Sequence, residues 1–308
     1  MNTNQKHIRI LLIIILIISA CQTKDNTIQT DQSLHSNTQK INALIKAMTL
    51  EEKVGQMTQL TLSVFYKNGT LQERLLKEYI IKYNIGSLLN IPSSSAISID
   101  QWHELINKIS NLTQETDLKI PILYGIDAIH GATYTENSTL FPHNIGLAAS
   151  RNSELAYTIA KITAKEVRAS GIRWNFDPVL GVGRQPLWSR FEETYGEDPL
   201  LVTEFGIQAI KGYEGDNLKS NINVASCMKH FLGYSVSATG KDRTPAYISD
   251  MMLQDIYIPP FKKAVESGAS TIMINSGSIN GTPVHINKYL LTDLLKNEWG
   301  FEGLIVSD

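Results

Sequence analysis

Short apolar runs rich in β-branched residues recur along this chain and alternate with segments of helical periodicity. This alternation constrains the fold more than any other feature, because it is typical of repeated strand and helix units in which helices cover a parallel sheet. Six strands are predicted: Gly86–Asn90, Ile122–Asp127, Ile172–Phe176, Val224–His230, Thr271–Asn275 and Leu304–Asp308. The sixth ends in a carboxylate, and the carboxyl ends of parallel barrel strands carry the functional residues.

Helical segments lie between the predicted strands. They are Ser98–Thr113, Ser153–Ala169, Leu200–Tyr213, Met251–Ser267 and Lys288–Asn297. In the second, Leu155, Ile159 and Ile162 recur at i, i+4 and i+7, so we expect this stripe to be buried against the sheet. The last helix has Asn287 placed to cap its start and Gly300 just past its end.

Two parallel folds fit this alternation. An open doubly wound sheet is complete with six strands, whereas a closed barrel needs eight. A dinucleotide-binding sheet also requires a glycine-rich turn after its first strand, and the segment Asn90–Ser95 contains no glycine. Gly181 and Gly183 lie in a later loop that lacks the third glycine. We therefore predict an α/β fold, a (β/α)8 TIM-like barrel with about six βα units, incomplete at its C-terminus.

The N-terminal residues indicate a targeting segment. Lys6, His7 and Arg9 precede an apolar stretch, residues 10–18, that is too short to span a bilayer. The segment Ile18-Ser19-Ala20-Cys21 resembles the lipobox of bacterial lipoproteins, with Cys21 as the lipidated residue; an ordinary secretory signal is the alternative. We expect a signal peptide at 1–20, a flexible tether at 21–39 and the barrel domain at 40–308. The protein is thus expected to be exported and anchored by lipid to a bacterial membrane, facing the periplasm or the cell exterior.

Composition excludes some classes of protein. The net charge of the 308 residues is -2, and charges of both signs are interspersed, so no basic field for nucleic acid is present. With Cys21 lipidated, Cys227 has no partner for an intramolecular disulfide, and two cysteines cannot form a cysteine-rich zinc site. The segment 22–39 is polar and lacks the apolar residues needed to offset chain entropy.

Polar residues cluster where the predicted strands end. Asp127 and His130 follow the second strand, Lys229 and His230 close the fourth, and Asp308 ends the sixth. Anionic, cationic and neutral groups around one point suit a polyhydroxylated ligand, because each sugar hydroxyl needs both a donor and an acceptor. The chain has neither His-x-His nor His-Glu-x-x-His, and no Gly-x-Ser-x-Gly elbow. We therefore predict sugar chemistry without a metal or cofactor, although each residue alone also has a structural explanation.

The segment between the third and fourth strands identifies a family. Gly183-Arg184-Gln185-Pro186-Leu187-Trp188-Ser189-Arg190 and Glu193-Thr194-Tyr195-Gly196-Glu197-Asp198-Pro199 resemble the signature of family 3 glycoside hydrolases, the β-glucosidase family. Four further blocks agree in order and spacing: residues 125–131, 229–231, 240–246 and 300–308. The resemblance covers about residue 40 to the end.

The resemblance implies roles for individual residues. Asp308 matches the catalytic nucleophile, which forms a covalent glycosyl-enzyme that water hydrolyses with retention. Lys229 and His230 match the Lys-His pair that binds the hydroxyls of the terminal sugar, and Asp127 matches the carboxylate on the other side of that ring. Arg190 matches the arginine that completes this grip.

A second carboxylate is needed as acid/base. In the glucosidase branch, a domain after the barrel supplies it, and we expect the same missing C-terminal domain here. In the N-acetylglucosaminidase branch, an Asp-His pair on a loop does so, but residues 232–240 contain no Asp-x-His, which disfavours that branch. Ser276 lies where many relatives have a tyrosine.

The expected function is hydrolysis of terminal non-reducing β-D-glucosyl residues from β-glucosides or oligosaccharides by a retaining double displacement, as the N-terminal part of a larger enzyme. The alternatives are a non-catalytic sugar-binding lipoprotein, an inactive fragment, or a β-xylosidase of the same family. Asp127 in its Asp-Ala-Ile-His-Gly block favours glucose over xylose as the sugar of the substrate. A chain ending at Asp308 is expected to be inactive by itself.

Overall fold

The computed structural model describes residues 37–91 and 95–308. The predicted signal peptide, Cys21 and most of the predicted tether lie outside the described residues. Helix α1 spans 37–47 and so begins inside the segment predicted as a tether. Helix α2, Leu50–Gln56, follows it. Thr49 caps α2, since its hydroxyl accepts from the Glu52 amide at 3.2 Å while Glu52 accepts from the Thr49 amide at 2.7 Å.

Residues 56–308 form a compact unit of their own. It contains a seven-stranded sheet in which every neighbouring pair is parallel. The strands of this sheet, in order, are β1 (Gln59–Thr61), β4 (Ser87–Leu89), β5 (Leu123–Ile126), β6 (Trp174–Asn175), β7 (Ala225–Phe231), β8 (Thr271–Ile274) and β11 (Leu304–Val306). Two short antiparallel hairpins lie outside it: β2 (Tyr66–Lys67) with β3 (Thr70–Leu71), and β9 (Ser278–Ile279) with β10 (Thr282–Pro283).

Helices connect successive strands of the sheet. They are α3 (Glu73–Ile81), α4 (Ile99–Gln114), α5 (Asn144–Ala149), α6 (Glu154–Ala169), α7 (Pro199–Glu214), α8 (Asp250–Met252) with a π segment (Leu253–Tyr257) running into α9 (Ile258–Glu266), and a π-type helix (Tyr289–Glu298). The Leu290 amide donates to Asn287 Oδ1 at 3.1 Å, and Gly300 has a φ of +68°, so both predicted end signals of the last helix are confirmed. None of the described helices has the combined length and apolar character needed to cross a membrane.

The predicted fold is confirmed: an α/β sheet curls as an incomplete TIM-like barrel. All six predicted strands are present. A seventh, β1, was not predicted, because its three residues contain no apolar β-branched run and become a strand by pairing with β4. Helix α3 was also missed.

The predicted buried stripe of α6 is wrong for Leu155 and Ile162, whereas Ile159 packs half-buried against the core. Leu155 and Ile162 are 40% and 37% exposed, and the buried face consists of Ala156, Ala160, Thr163, Ala164 and Val167. Small residues occupy the buried face because α7 approaches α6 closely. A Cβ added to Gly212 of α7 would lie 2.4 Å from the carbonyl oxygen of Tyr157 of α6. Close packing of the two helices therefore determines which side of α6 is buried.

Aromatic rings at the sheet position the strand ends. Trp174 and Phe176 meet edge to face at 4.8 Å in a cluster with Cys227 and Met273. A Cβ added to Gly125 would lie 2.2 Å from the Phe176 ring, so this position of β5 must be glycine. The indole of Trp174 donates to the Thr271 hydroxyl at 2.8 Å, which links β6 to β8.

Candidate active site

A cavity of about 410 Å³ opens at the carboxyl ends of the strands. All five predicted sugar-site residues line it: Asp127, Arg190, Lys229, His230 and Asp308. They lie between residues 127 and 308, and the parallel order of the strands, together with the loop that carries Arg190, brings them to one rim. Their individual roles remain predictions.

An ion pair between a buried lysine and a half-buried aspartate forms one wall of the cavity. Lys229, at the end of β7, has a side chain that is 2% exposed, and its Nζ donates to Asp127 Oδ1 at 2.6 Å. Asn90 Nδ2 donates to the other oxygen at 2.9 Å, while the Asp127 amide donates back to Asn90 Oδ1 at 3.1 Å. Burial alone would raise the pKa of Asp127, but the charge of Lys229 and these hydrogen bonds hold it below its ordinary value. Asp127 is therefore an anionic acceptor.

A second network surrounds Arg190. Its Nε and Nη2 donate to the two oxygens of Glu193 at 2.9 and 2.8 Å, a bidentate pair that only arginine can form. Arg190 Nη2 also lies 3.3 Å from His230 Nε2. Since the guanidinium can only donate, His230 Nε2 is the acceptor and the ring proton belongs on Nδ1.

His230 is neutral in this setting. It is 2% exposed, and burial, reinforced by the positive charges of Lys229 and Arg190, lowers its pKa well below the ordinary 6.5. A neutral imidazole can donate through Nδ1 to one hydroxyl without adding a third cation to the wall. The arrangement of a buried ammonium, a guanidinium, a carboxylate and a neutral ring offers the donors and acceptors that a sugar ring needs.

Asp308 follows β11 and faces the same cavity with a side chain that is 13% exposed. The Ser276 hydroxyl donates to Asp308 Oδ2 at 2.7 Å, and Arg243 Nη2 donates to Oδ1 at 3.4 Å. Strand β11 pairs in register with β8, with Leu304 opposite Thr271. The nucleophile candidate is thus oriented by one hydroxyl and one exposed cation.

Sequence reasoning missed the partners of the predicted residues. Asn90, Glu193 and Ser276 each bond directly to a predicted site residue. Glu193 lies three positions after Arg190 at a short 3-10 turn, a spacing that could have signalled the pair. Asn90 carries no local sign of its role, because its partner is 37 positions away. Ser276, 32 positions from Asp308, was noted only as the place where many relatives have a tyrosine.

His130 also lines the cavity, but it is engaged elsewhere. Its Nδ1 lies 3.3 Å from the Phe141 carbonyl oxygen, and its ring lies 4.2 Å from that of His143. Burial, together with His143, lowers the pKa of His130. Within residues 37–91 and 95–308, no group of three or more His, Cys, Asp or Glu side chains could hold a metal ion.

The fold is a TIM-like barrel with charged and polar side chains around one cavity at the carboxyl ends of its strands. The chain belongs to glycosyl hydrolase family 3, since residues 49–308 match the model of the glycosyl hydrolase family 3 N terminal domain. It is 44% identical over 284 residues to a lysosomal beta glucosidase of Dictyostelium discoideum, covering 87% of this chain and 35% of that protein. A periplasmic beta-glucosidase of Salmonella typhimurium is 31% identical over 268 residues, covering 87% of this chain and 33% of its own length.

Among solved structures, an exo-1,3/1,4-beta-glucanase from a Pseudoalteromonas species superposes with a TM-score of 0.78 at 36% identity. The alignment covers 87% of this chain and 34% of that one. The chain therefore spans about a third of the length of the curated relatives it matches.

Proposed function

We propose that this chain carries the nucleophile and the sugar-binding wall of a retaining, exo-acting β-glucosidase. One observation carries the proposal: the Asp308 carboxylate shares a single cavity with the ion pair of Lys229 and Asp127 and with Arg190. The relatives are named as a beta glucosidase and an exo-1,3/1,4-beta-glucanase, which supports a terminal β-linked glucosyl residue as the substrate.

Each wall residue has a distinct task in this mechanism. Lys229 donates to one sugar hydroxyl. Asp127 accepts from another hydroxyl as a carboxylate, because Lys229 and Asn90 hold the pKa of its carboxyl group low despite burial. His230 donates through Nδ1, while Glu193 fixes Arg190 by two hydrogen bonds so that the remaining guanidinium donors face the ring. Fixed donors and acceptors of this kind hold the anomeric carbon in reach of the nucleophile.

The reaction then proceeds in two displacements. An oxygen of Asp308 forms a bond to the anomeric carbon as the bond to the leaving oxygen breaks, and a general acid protonates that oxygen. The general acid, now deprotonated, then acts as a base and removes a proton from water. The water oxygen attacks the anomeric carbon as the bond from that carbon to Asp308 breaks. The sugar product has the configuration of the substrate.

The general acid must come from elsewhere in the protein. Among the described residues lining the cavity, the carboxyl groups are those of Asp127, Glu193 and Asp308. Asp127 is bound to an ammonium and Glu193 to a guanidinium, so neither is placed to deliver a proton to the leaving group. We infer that a second domain supplies the acid, about 5 to 5.5 Å from Asp308 as retention requires.

We further propose export and lipid anchoring. The support is the sequence at Lys6 to Cys21, with Cys21 as the lipidated residue, and the periplasmic setting named for the Salmonella typhimurium relative. Metabolic labelling with a palmitate analogue tests this: label is expected on the wild-type protein and absent from Cys21→Ser. Equal labelling of both contradicts it.

The decisive test of function traps the intermediate. The full-length protein is treated with a 2-fluoro β-glucoside, and the labelled peptide is identified by mass spectrometry; label on Asp308 is expected. Asp308→Asn should abolish both labelling and turnover of an aryl β-glucoside. Tight glucose binding without label or turnover would support the sugar-binding alternative, and preferential labelling by a 2-fluoro β-xyloside would support the β-xylosidase.

A further inference from the structure

Asn90 follows β4 and binds Asp127 from outside the cavity. Its Nδ2 donates to Asp127 Oδ2 at 2.9 Å, and the backbone amide of Asp127 donates back to Asn90 Oδ1 at 3.1 Å. The two bonds use the donor and the acceptor of a single planar amide. Asn90 is not among the described residues that line the cavity, so its influence on a ligand has to pass through Asp127.

The backbone of Asn90 is held on both sides. Its amide donates to the Gly125 carbonyl oxygen at 3.0 Å, and its own carbonyl oxygen accepts from the hydroxyl of Tyr124, a residue that is 4% exposed. The φ of Asn90 is +52°, in the left-handed region where asparagine is enriched among the residues other than glycine. The end of β4 therefore presents the side-chain amide to Asp127 from a fixed backbone.

Lys229, the other partner of Asp127, does not fix the carboxylate by itself. Its ammonium is a compact charge with three rotatable donors, so it can follow a carboxylate that turns. An amide bonded to both the side chain and the backbone of one residue cannot follow such a turn. Lys229 occupies one acceptor position on Oδ1 and Asn90 one on Oδ2, which leaves each oxygen a position for a ligand. The Asp127 side chain is 31% exposed and lines the cavity.

We infer that Asn90 is a positioning residue, which fixes the rotation of the Asp127 carboxylate so that its remaining acceptor positions meet one particular hydroxyl of the terminal sugar. This inference rests on the proposed function. Without Asn90 the carboxylate keeps its charge and its bond to Lys229, but its acceptor directions no longer match that hydroxyl. The loss is therefore confined to one position of the sugar ring and is not shared by the whole sugar.

The experiment uses the full-length protein with an aryl β-glucoside and its 2-, 3-, 4- and 6-deoxy analogues. Asp127→Ala identifies the hydroxyl that Asp127 binds, because removing the carboxylate has its smallest effect on the analogue that lacks this hydroxyl. Asn90→Ala should lower kcat/KM about tenfold for the parent glucoside and less than twofold for that same analogue. Asn90→Asp keeps the shape and the acceptor but loses the donor, so it should show the same pattern.

Asn280 provides a matched control. It has a φ of +51°, its Nδ2 donates to the Ile248 carbonyl oxygen at 2.7 Å, and its Oδ1 accepts from the Ile248 amide at 2.9 Å. It therefore has the backbone conformation and the paired bonds of Asn90, but it is not among the described residues that line the cavity. Asn280→Ala should lower the unfolding midpoint and leave kcat/KM unchanged for every substrate of the series.

The pattern across the analogues separates positioning from a structural role. An equal loss on all the analogues in Asn90→Ala, wild-type kinetics in Asn90→Asp, or the same hydroxyl-specific pattern in Asn280→Ala would each overturn the inference. If Asn90→Ala does not fold, the isosteric Asn90→Asp decides. Asp308→Asn distinguishes the two proposals: turnover in that variant refutes the proposed function, whereas an inactive Asp308→Asn with a uniform loss in the Asn90 variants refutes the positioning role alone.

Discussion

Asp177 is a buried carboxyl group that follows β6 and lies beside the strand carrying Lys229. It is 2% exposed; one oxygen accepts from the Tyr213 hydroxyl at 2.8 Å, and the other is buried without a partner among the described residues. Burial raises its pKa from 3.8 to about 7, against the opposing effects of Tyr213 and Lys229. The native protein therefore retains a proton here that the unfolded chain releases.

The magnitude follows from linkage between protonation and folding. Between pH 3.8 and about 7 the native state binds more protons at Asp177 than the unfolded state, so the free energy of unfolding falls as the pH rises through this range. Integrated over the range, the loss is about 4 kcal/mol. Asp177→Asn retains an oxygen that can accept from Tyr213 but cannot ionise, so the variant should escape this loss.

Urea unfolding at pH 4, 6 and 8 measures the effect. The stability of Asp177→Asn relative to the wild type should rise with pH, by about 4 kcal/mol in total between pH 4 and 8. The trend matters more than the absolute value, because the new amide can add a constant offset. Asp117→Asn, an exposed aspartate, should show no such trend. A difference between Asp177→Asn and the wild type that is the same at all three pH values would refute the reasoning.

Three further predictions concern the sugar wall and the base of the sheet. Arg190→Lys cannot form both bonds to Glu193, so KM for an aryl β-glucoside should rise roughly tenfold in steady-state kinetics. Burial, with the charges of Lys229 and Arg190, lowers the pKa of His230 below 6.5. As the pH drops below 6.5, the unfolded chain takes up a proton that the native protein does not bind, so the stability of the wild type falls. The melting temperature of His230→Gln should therefore fall less than that of the wild type between pH 7 and 5. Glu214 accepts four hydrogen bonds from Ser226 and Ser270, so Glu214→Ala should lose about 3 kcal/mol in urea unfolding and Glu214→Gln distinctly less.

The sheet could be predicted from sequence where the strand signal was local. Runs such as residues 122–127 and 271–275 are apolar, β-branched and bounded by turn residues, so their strands were recognisable. Gln59–Thr61 lacks that signal and is a strand only because β4 lies alongside. The prediction of the buried face of α6 failed at Leu155 and Ile162 for a related reason: small residues face α7, because its backbone approaches α6 closely at Gly212.

The predicted site residues came from motifs, and the structure shows what motifs leave out. Asp127 and Lys229 are 102 positions apart, yet the order of parallel strands sufficed to place both at one rim. The sequence held no sign that Asn90 would bind Asp127, or that the Tyr234 ring would lie against that of His230. These contacts depend on side-chain directions that only the folded chain determines.

The two sides of the cavity differ in how they are held. Lys229 and His230 are 1% and 2% exposed, and their partners come from several elements, so the wall that we propose to bind the sugar is fixed by burial. Asp308 follows β11, and its carboxylate accepts hydrogen bonds from the Ser276 hydroxyl and from Arg243 Nη2. Its orientation therefore depends on Ser276 and on the exposed Arg243. Loss of either partner should impair formation of the covalent intermediate more than sugar binding, because the binding wall does not rely on β11.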